Sequence, residues 1–323
     1  MSAALPKLSA AFAAPLLAGA PSAAPLSIEK QGSFAAGGTV LPAKTAYDPY
    51  HPTADRQDLR GDHAFVRYRI PTDARTYPLV FLHGHVEFSK TWETTPDGRD
   101  GFQNIFLSRG FKVYLVAQPR RGGAGKATVK GEIPAKSDEA VFFGQFRMGM
   151  WSKFYENPQF PEDAESLNQF FRQMTPNTAP YDAKVNARAM AAVLEKSGDA
   201  VLVTHSQGGG IGWLAGMMRD HIKGIASYEP GSNFPFPKGE VPAPIKTSSF
   251  FGDFKADAVP LEDFKELTRC PIVFYYDDYL PKKPSTPPQD YWRAAVKMVR
   301  LWSDAVNRHG GDVQLIELPE KRP

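Results

Sequence analysis

The sequence has a single cysteine, almost no net charge and no long uninterrupted hydrophobic run. Because Cys270 is the only cysteine, the chain can form neither an intrachain disulfide nor a cysteine-based metal site. The formal net charge of +3, from 38 basic and 35 acidic residues, is too small to favour nucleic acid or an anionic membrane surface as a partner. The remaining composition, 42% hydrophobic and 12% aromatic, is typical of a globular protein, and 323 residues can form one large α/β domain.

The first 27 residues differ in composition from the rest of the chain. They are rich in alanine, proline and leucine, and Lys7 is their only charged residue. The apolar stretch from Leu8 to Ala20, followed by small residues, is typical of a secretory signal, and it is too short and too interrupted to span a membrane. We expect residues 1–27 to be a signal peptide or a disordered tail. A signal peptide implies a periplasmic or secreted protein, and a tail implies a cytoplasmic one.

The region 28–323 alternates apolar strand patterns with helical ones, which predicts a mostly parallel central sheet flanked by helices. A first hairpin is predicted over 28–40, with Gly37-Gly38 as its turn. The other predicted strands are 63–70, 77–82, 111–117, the run that begins at Ala200, 224–228, 271–276 and 313–318, and the predicted helices include 102–107, 183–196 and 291–308.

Residues 124 to about 181 interrupt this alternation with a long segment rich in aromatic residues and proline. An apolar, loop-rich insertion of this length is typical of a lid over an active site. The alternative is that the aromatic residues anchor a long connection to the body of the domain. We therefore expect one domain over 28–323 with a lid insertion.

A serine lies between a buried strand and a glycine-rich helix in the run 200–210, Ala-Val-Leu-Val-Thr-His-Ser-Gln-Gly-Gly-Gly. This pattern predicts a nucleophile elbow, in which Ser206 Oγ is exposed at the carboxyl end of the sheet. The strained turn needs small residues two positions before and after the serine, and these are Thr204 and Gly208. The Gln207 amide and the positive end of the helix then lie close to any oxyanion that forms. An ordinary glycine-rich turn is the alternative.

Partners for this serine follow other predicted strands. The turn His83-Gly84-His85 ends one strand, and the backbone amide of His85 is the candidate second oxyanion donor beside that of Gln207. The candidate acids are Glu229, which ends the strand after the elbow, and Asp277 or Asp278, which end the strand after that. Solvated or salt-bridged carboxylates are the alternative for each.

The general base is the missing part of a triad. The sequence has seven histidines, and none of them follows the last predicted strand, where the base of such a sheet usually lies. His83 and His85, with Glu87 after them, have a spacing that suits metal ligands. A binuclear metallohydrolase needs an Asp-His pair directly afterwards, which the sequence lacks. The residues alone therefore leave the triad incomplete.

With these residues placed, the chain resembles the α/β-hydrolase superfamily, and within it bacterial secreted esterases with a Ser-His-Glu triad. The resemblance covers about residues 30–320. It is carried by Thr-Trp-Glu-Thr-Thr-Pro-Asp-Gly-Arg at 91–99, Thr-His-Ser-Gln-Gly at 204–208 and Tyr-Glu-Pro-Gly at 228–231. It implies an α/β-hydrolase fold with a lid and hydrolysis of a small-molecule carboxylic ester through an acyl-enzyme. No cofactor or metal is implied, and the oligomeric state stays open.

The resemblance also selects Glu229 as the acid over Asp277 and Asp278. It implies that Ser206 and Glu229 border one cavity under 124–181, with room for an imidazole between them. Esterases of this branch carry their histidine just after the terminal Leu-Pro turn, and this sequence has no histidine there. We therefore expect a truncated chain with impaired activity. The alternatives are a non-catalytic binding protein of the same fold and a metallohydrolase that uses His83 and His85.

Overall fold

A computed structural model describes residues 25–277 and 279–318 of the chain. The strands within these residues are β1 (Ile28–Ala36), β2 (Thr39–Leu41), β3 (Leu59–Gly61), β4 (Ala64–Pro71), β5 (Leu79–Leu82), β6 (Val113–Ala117), β7 (Gly149–Met150), β8 (Lys153–Phe154), β9 (Ala200–His205), β10 (Ile222–Tyr228), β11 (Pro235–Pro237), β12 (Asp257–Val259), β13 (Ile272–Tyr276) and β14 (Val313–Glu317). The α-helices are α1 (Phe102–Leu107), α2 (Glu139–Gln145), α3 (Ala164–Gln173), α4 (Ala183–Ser197), α5 (Gln207–Gly216), α6 (Leu261–Lys265) and α7 (Pro287–Arg308).

Eight of these strands form the central sheet, in the order β1-β4-β6-β5-β9-β10-β13-β14. The strands from β6 to β14 in this order are parallel to one another, and β4 runs antiparallel to both of its neighbours. The prediction of a mostly parallel sheet flanked by helices is confirmed. Since β5, β9 and β10 are adjacent, the loops after their carboxyl ends meet at one edge of the sheet.

The prediction of a first hairpin over residues 28–40 is wrong. Gly37 and Gly38 do form a turn with positive φ, but β1 pairs with β4 and β2 pairs with β3. The β1–β4 ladder is long and places Phe34 opposite Val66, with the Phe34 ring 6.1 Å from that of Tyr68. The three residues of β2 are all exposed and provide no comparable apolar contact. Cross-strand packing therefore outweighs the local turn signal.

The core consists of two apolar clusters on opposite faces of the sheet. Val80 and Leu82 belong to one cluster, and Leu79 and Phe81 to the other, because side chains alternate along a strand. The larger cluster contains Trp213 of α5 and Trp302 of α7, whose ring centroids are 5.1 Å apart. The elbow helix is thus packed directly against the longest helix of the described chain.

The segment 124–181 contains α2, the short β7–β8 pair and α3. Phe142 and Phe143 of α2 are buried, and the Trp292 indole of α7 donates to the Gln145 carbonyl at 2.6 Å. These contacts attach the segment to the body of the domain. Its role as a lid and the domain boundaries stay predictions. Residues 1–24, most of the predicted signal peptide or tail, lie outside the described residues, as do Asp278 and 319–323.

We predict that Trp302→Ala lowers the free energy of unfolding by about 3–5 kcal/mol, because it leaves a cavity where a fully buried indole packs on Trp213. The measurement is urea denaturation followed by far-UV circular dichroism. Leu301→Ala, at a neighbouring exposed position on the same helix, is the matched control and should change stability by less than about 0.5 kcal/mol. Equal losses in both variants would contradict the packing argument.

Candidate active site

Ser206 lies in a sharp turn between β9 and α5. Its backbone has φ 49° and ψ −116°, in the positive-φ region that residues other than glycine rarely adopt. The Ser206 amide donates to the Tyr228 carbonyl at 3.0 Å, and its own carbonyl accepts from the Gly231 amide at 3.2 Å. The end of β10 therefore holds the strained residue from both sides. This is the geometry that the elbow motif predicts.

The residues on either side of this turn fit the steric demand in different ways. A Cβ at Gly208 would lie 2.6 Å from the Leu82 carbonyl oxygen and 2.7 Å from that of His83, so only glycine fits there. Thr204 is fully buried, and its hydroxyl is 2.6 Å from Ser227 Oγ. The threonine is thus accommodated because its polar atom has a partner.

Ser206 lines a cavity of about 270 Å³. Six of its sixteen lining residues are aromatic, namely Phe142, Phe146, Phe251, Phe254, Tyr291 and Trp292. The polar lining residues include His85, Gln145, Gln207, Ser232, Asn233, Asp253 and Lys255. Since Phe142, Gln145 and Phe146 belong to the segment 124–181, that segment does border the cavity of the serine.

The two candidate oxyanion donors lie at this cavity. His85 and Gln207 both line it beside Ser206, and a Cβ at Gly84 would lie 3.0 Å from Ser206 Cβ. Within the described part of the chain, neither the backbone N–H of His85 nor that of Gln207 donates a hydrogen bond. Burial, together with nearby Arg121, lowers the pKa of the His85 ring to about 4, so the ring is neutral at pH 7. Two residues whose backbone N–H groups have no partner among the described residues therefore line the same cavity as Ser206.

Glu229 directly follows β10 and has a second strained conformation, with φ 47°. Its carboxylate accepts from Arg147 and from the Asp277 amide, the latter at 3.1 Å, and the Arg147 guanidinium lies 5.1 Å from the Trp292 ring centroid. Burial alone raises the pKa of Glu229, but Arg147 outweighs this and lowers it below the ordinary value. The side chain is therefore an anion that is already paired.

Glu229 is not among the residues that line the Ser206 cavity. The expectation that both residues border one cavity is not met by this cavity, and the Glu229 carboxylate is instead paired with Arg147. Asp277, the alternative acid, contributes its amide to Glu229. Asp278 lies outside the described residues.

The residue before the serine belongs to a partly buried pair that the sequence did not single out. His205 Nδ1 lies 3.1 Å from Glu87 Oε2, which also accepts from the Gly84 amide at 2.7 Å. Burial lowers the pKa of His205, but Glu87 more than offsets this, so the pKa is raised overall. Burial likewise raises the pKa of Glu87, and His205 more than offsets it, so that pKa is lowered. The pair fastens the Gly84 turn to the elbow.

None of the seven histidines is hydrogen-bonded to Ser206, and all seven lie within the described residues. The fully buried His83 has both ring nitrogens engaged, with Nδ1 3.0 Å from the Gly84 carbonyl and Nε2 accepting from the Gln118 amide at 3.2 Å. No group of three or more potential metal ligands occurs in the described ranges. His83 and His85 are therefore not brought together as ligands.

The fold of this chain is similar to a known structure, that of a bacterial esterase described as novel. The similarity covers 98% of this chain and 90% of that one, with a TM-score of 0.71 and 26% sequence identity. The chain belongs to the α/β-hydrolase superfamily. The fold class and the resemblance expected from the sequence are thus confirmed.

A probable secreted lipase of a fungal species (strain ATCC 74256) is 31% identical to this α/β-hydrolase over 180 residues. The match covers 51% of this chain and 48% of the lipase, so the chain spans about half the length of that relative. A putative dienelactone hydrolase from Klebsiella pneumoniae matches in structure over 90% of this chain, with a TM-score of 0.40 and 12% identity. No family model matches the chain. None of the helices in the described ranges is long and apolar enough to cross a membrane.

We predict that the His205–Glu87 pair of this α/β-hydrolase stabilises the fold in a limited pH window. The raised pKa of His205 gives stability that is complete below about pH 6.5 and is lost as the pH rises through the folded-state pKa. The lowered pKa of Glu87 gives stability that is complete above about pH 4.5 and is lost on acidification. The difference in free energy of unfolding between wild type and His205→Gln should therefore be largest between these two pH values.

The measurement is a series of urea denaturation curves between pH 4 and 9. The control is His221→Gln, because His221 makes a similar pair with Asp199 on the exposed surface, where salt bridges contribute little. A difference between wild type and His205→Gln that stays constant from pH 5 to 9 would contradict the assignment.

Proposed function

We propose that this α/β-hydrolase is a carboxylic ester hydrolase with Ser206 as its nucleophile. The observation that carries the proposal is the strained Ser206 at a cavity beside two amides without hydrogen-bond partners among the described residues. A hydroxyl next to two free donors suits attack on a carbonyl, because the donors stabilise the oxyanion that the attack creates. The similarity to a bacterial esterase and to a probable lipase supports the same chemistry.

In the proposed reaction, Ser206 Oγ attacks the ester carbonyl carbon and loses its proton to a base. The carbonyl oxygen becomes an oxyanion that accepts from the amides of Gln207 and His85. Collapse of this intermediate expels the alcohol, which takes up a proton, and leaves an acyl-enzyme. Water then attacks the acyl carbon and releases the acid and the free serine.

The base limits the proposed rate. Glu229 is the residue proposed to orient a catalytic histidine, yet it is paired with Arg147, and none of the seven histidines is bonded to Ser206. We therefore propose that this chain turns esters over slowly. The same observation favours a second function, a protein that binds an ester-like ligand without hydrolysing it.

The cavity lining indicates the kind of ester. Its aromatic walls suit apolar acyl or alcohol groups of a small molecule, because burying apolar surface is favourable whereas an unpaired charge is costly to bury. We also propose that the protein is exported, on the strength of its apolar first residues and its similarity to a probable secreted lipase.

We predict that added imidazole raises the rate at which this chain hydrolyses a p-nitrophenyl ester, because it supplies the base that Ser206 lacks. The measurement is p-nitrophenolate release against imidazole concentration for wild type and Ser206→Ala. The variant also corrects for hydrolysis by imidazole itself. We expect a Ser206-dependent rate that is low without imidazole and rises with it.

Other outcomes separate the alternatives. Equal rates in wild type and Ser206→Ala would overturn the serine mechanism, and retained binding of the ester would then favour the binding protein. A high rate without imidazole that Ser206→Ala abolishes would show that a base is already present, and the proposed impairment would be wrong.

We also predict that p-nitrophenyl butyrate is a better substrate than p-nitrophenyl succinate, which carries a carboxylate of similar chain length. The apolar chain can contact Phe146 and the other rings, whereas the carboxylate loses hydration among them and meets Asp253 as well as Lys255, so the lining offers it no net charge of opposite sign. The measurement is kcat/KM for both esters at one imidazole concentration. Equal values would contradict the role of the aromatic walls.

A further inference from the structure

We propose that Arg121 is a positioning residue that aims the backbone amide of His85 at the oxyanion site and ties it to Gln207. The proposal rests on the proposed ester hydrolysis at Ser206. Arg121 lies in the loop after β6 and is 1% exposed, so its guanidinium is a cation held inside the protein. Neither the elbow motif nor the turn after β5 contains it.

The three hydrogen bonds of Arg121 all go to neutral oxygens. Nη1 donates to the Gly84 carbonyl at 2.7 Å, Nε to Asn177 Oδ1 at 2.7 Å and Nη2 to Gln207 Oε1 at 3.2 Å. Within the described ranges it forms no salt bridge. Burial lowers the pKa of Arg121 to about 10, which leaves the side chain charged at neutral pH. Glu87 lies near enough to raise this pKa but makes no salt bridge with Arg121. A buried cation without a directly paired anion is costly, which favours a functional reason for its position.

The contact with Gly84 acts on the neighbouring amide. The Gly84 carbonyl and the His85 N–H belong to one planar trans peptide group, so they point in opposite directions. A donor that fixes the carbonyl therefore fixes the direction of the N–H as well. The guanidinium also polarises the peptide group, which strengthens the N–H as a donor.

A second donor holds the same carbonyl. Since the Gln118 amide donates to His83 Nε2, the proton of His83 lies on Nδ1, which donates to the Gly84 carbonyl at 3.0 Å. The Gly84 amide donates to Glu87 at 2.7 Å. Both polar backbone atoms of Gly84 are thus hydrogen-bonded, while the backbone N–H of His85 has no hydrogen-bond partner among the described residues.

Arg121 also contacts the second proposed donor residue. Its bond to the Gln207 side chain connects the turn after β5 to the first residue of α5. Loss of this connection should let the two amides move apart, and an oxyanion that needs both would lose stabilisation. The carbonyl oxygen of the bound ester accepts weaker hydrogen bonds from these amides than the oxyanion does, so binding of the ester should change little.

The preceding residue provides a matched control. Arg120 is 5% exposed, and it binds Asp62 at 2.7 and 2.9 Å and the Pro180 carbonyl at 2.7 Å. Like Arg121, it attaches the loop after β6 to the segment that ends near 181. It makes no hydrogen bond to Gly84 or Gln207. The same Arg→Lys change at the two positions therefore separates positioning from general loop stability.

The experiment compares Arg121→Lys with Arg120→Lys in the full chain, at one imidazole concentration. The readouts are kcat, KM, the melting temperature and Ki for an aryl trifluoromethyl ketone, whose carbonyl carbon adds to Ser206 Oγ to give an oxyanion. We expect Arg121→Lys to lower kcat about tenfold or more with KM nearly unchanged, and to weaken the ketone by the same factor; deletion of a donor itself costs about 10²–10³-fold. Arg120→Lys should keep kcat within about twofold.

Asn177→Ala, which removes one anchor of Arg121, gives a milder second variant if Arg121→Lys does not fold, and it should lower kcat without raising KM. Equal kcat in Arg121→Lys and Arg120→Lys, or a wild-type Ki for the ketone, would overturn the positioning role alone. Unchanged turnover in Ser206→Ala would overturn the proposed function and this inference with it.

Discussion

The site depends on the close contact between the first turn of α5 and the carboxyl end of β5. Gly208 meets the carbonyl oxygens of Leu82 and His83 with no space for a Cβ, so helix and strand approach within backbone contact. Because β9 leads into α5 through a single residue, that approach forces Ser206 into its strained conformation. The same contact brings the turn at Gly84 against the serine. One steric constraint thus assembles the nucleophile and both candidate oxyanion donors.

Charged side chains surround this assembly, and both of its glutamates have a defined charged partner. Glu87 is held by His205 and the Gly84 amide, and Glu229 by Arg147. A charge removed from water costs several kcal/mol unless hydrogen bonds and opposite charge replace its hydration. Since these pairs satisfy one another, the cavity can keep aromatic walls, and Arg121 is left directed at neutral oxygens of the oxyanion turn. Electrostatics and packing are therefore arranged together around Ser206.

The sequence predicts the parts of this protein that depend on local pattern. Strand and helix periodicity, the glycines after Ser206 and the turn at Gly84 are encoded within a few residues, and the structure contains them. The predicted 28–40 hairpin is wrong because β1 pairs with distant β4. Arg121 and Arg147 could not be found from motifs, since their key partners lie 37 and 82 residues away in the chain. Such contacts are set by loop conformation, which periodicity does not determine.

The indole pair in the core has an optical consequence. Trp213 belongs to the helix that begins at the Ser206 elbow, and its ring centroid is 5.1 Å from that of Trp302. Two chromophores this close share their electronic excitation, and the coupling depends steeply on their separation and mutual angle. A small displacement of α5 would therefore change the near-ultraviolet circular dichroism and the fluorescence of the unlabelled protein. These two signals therefore report on the position of the helix that begins at Ser206.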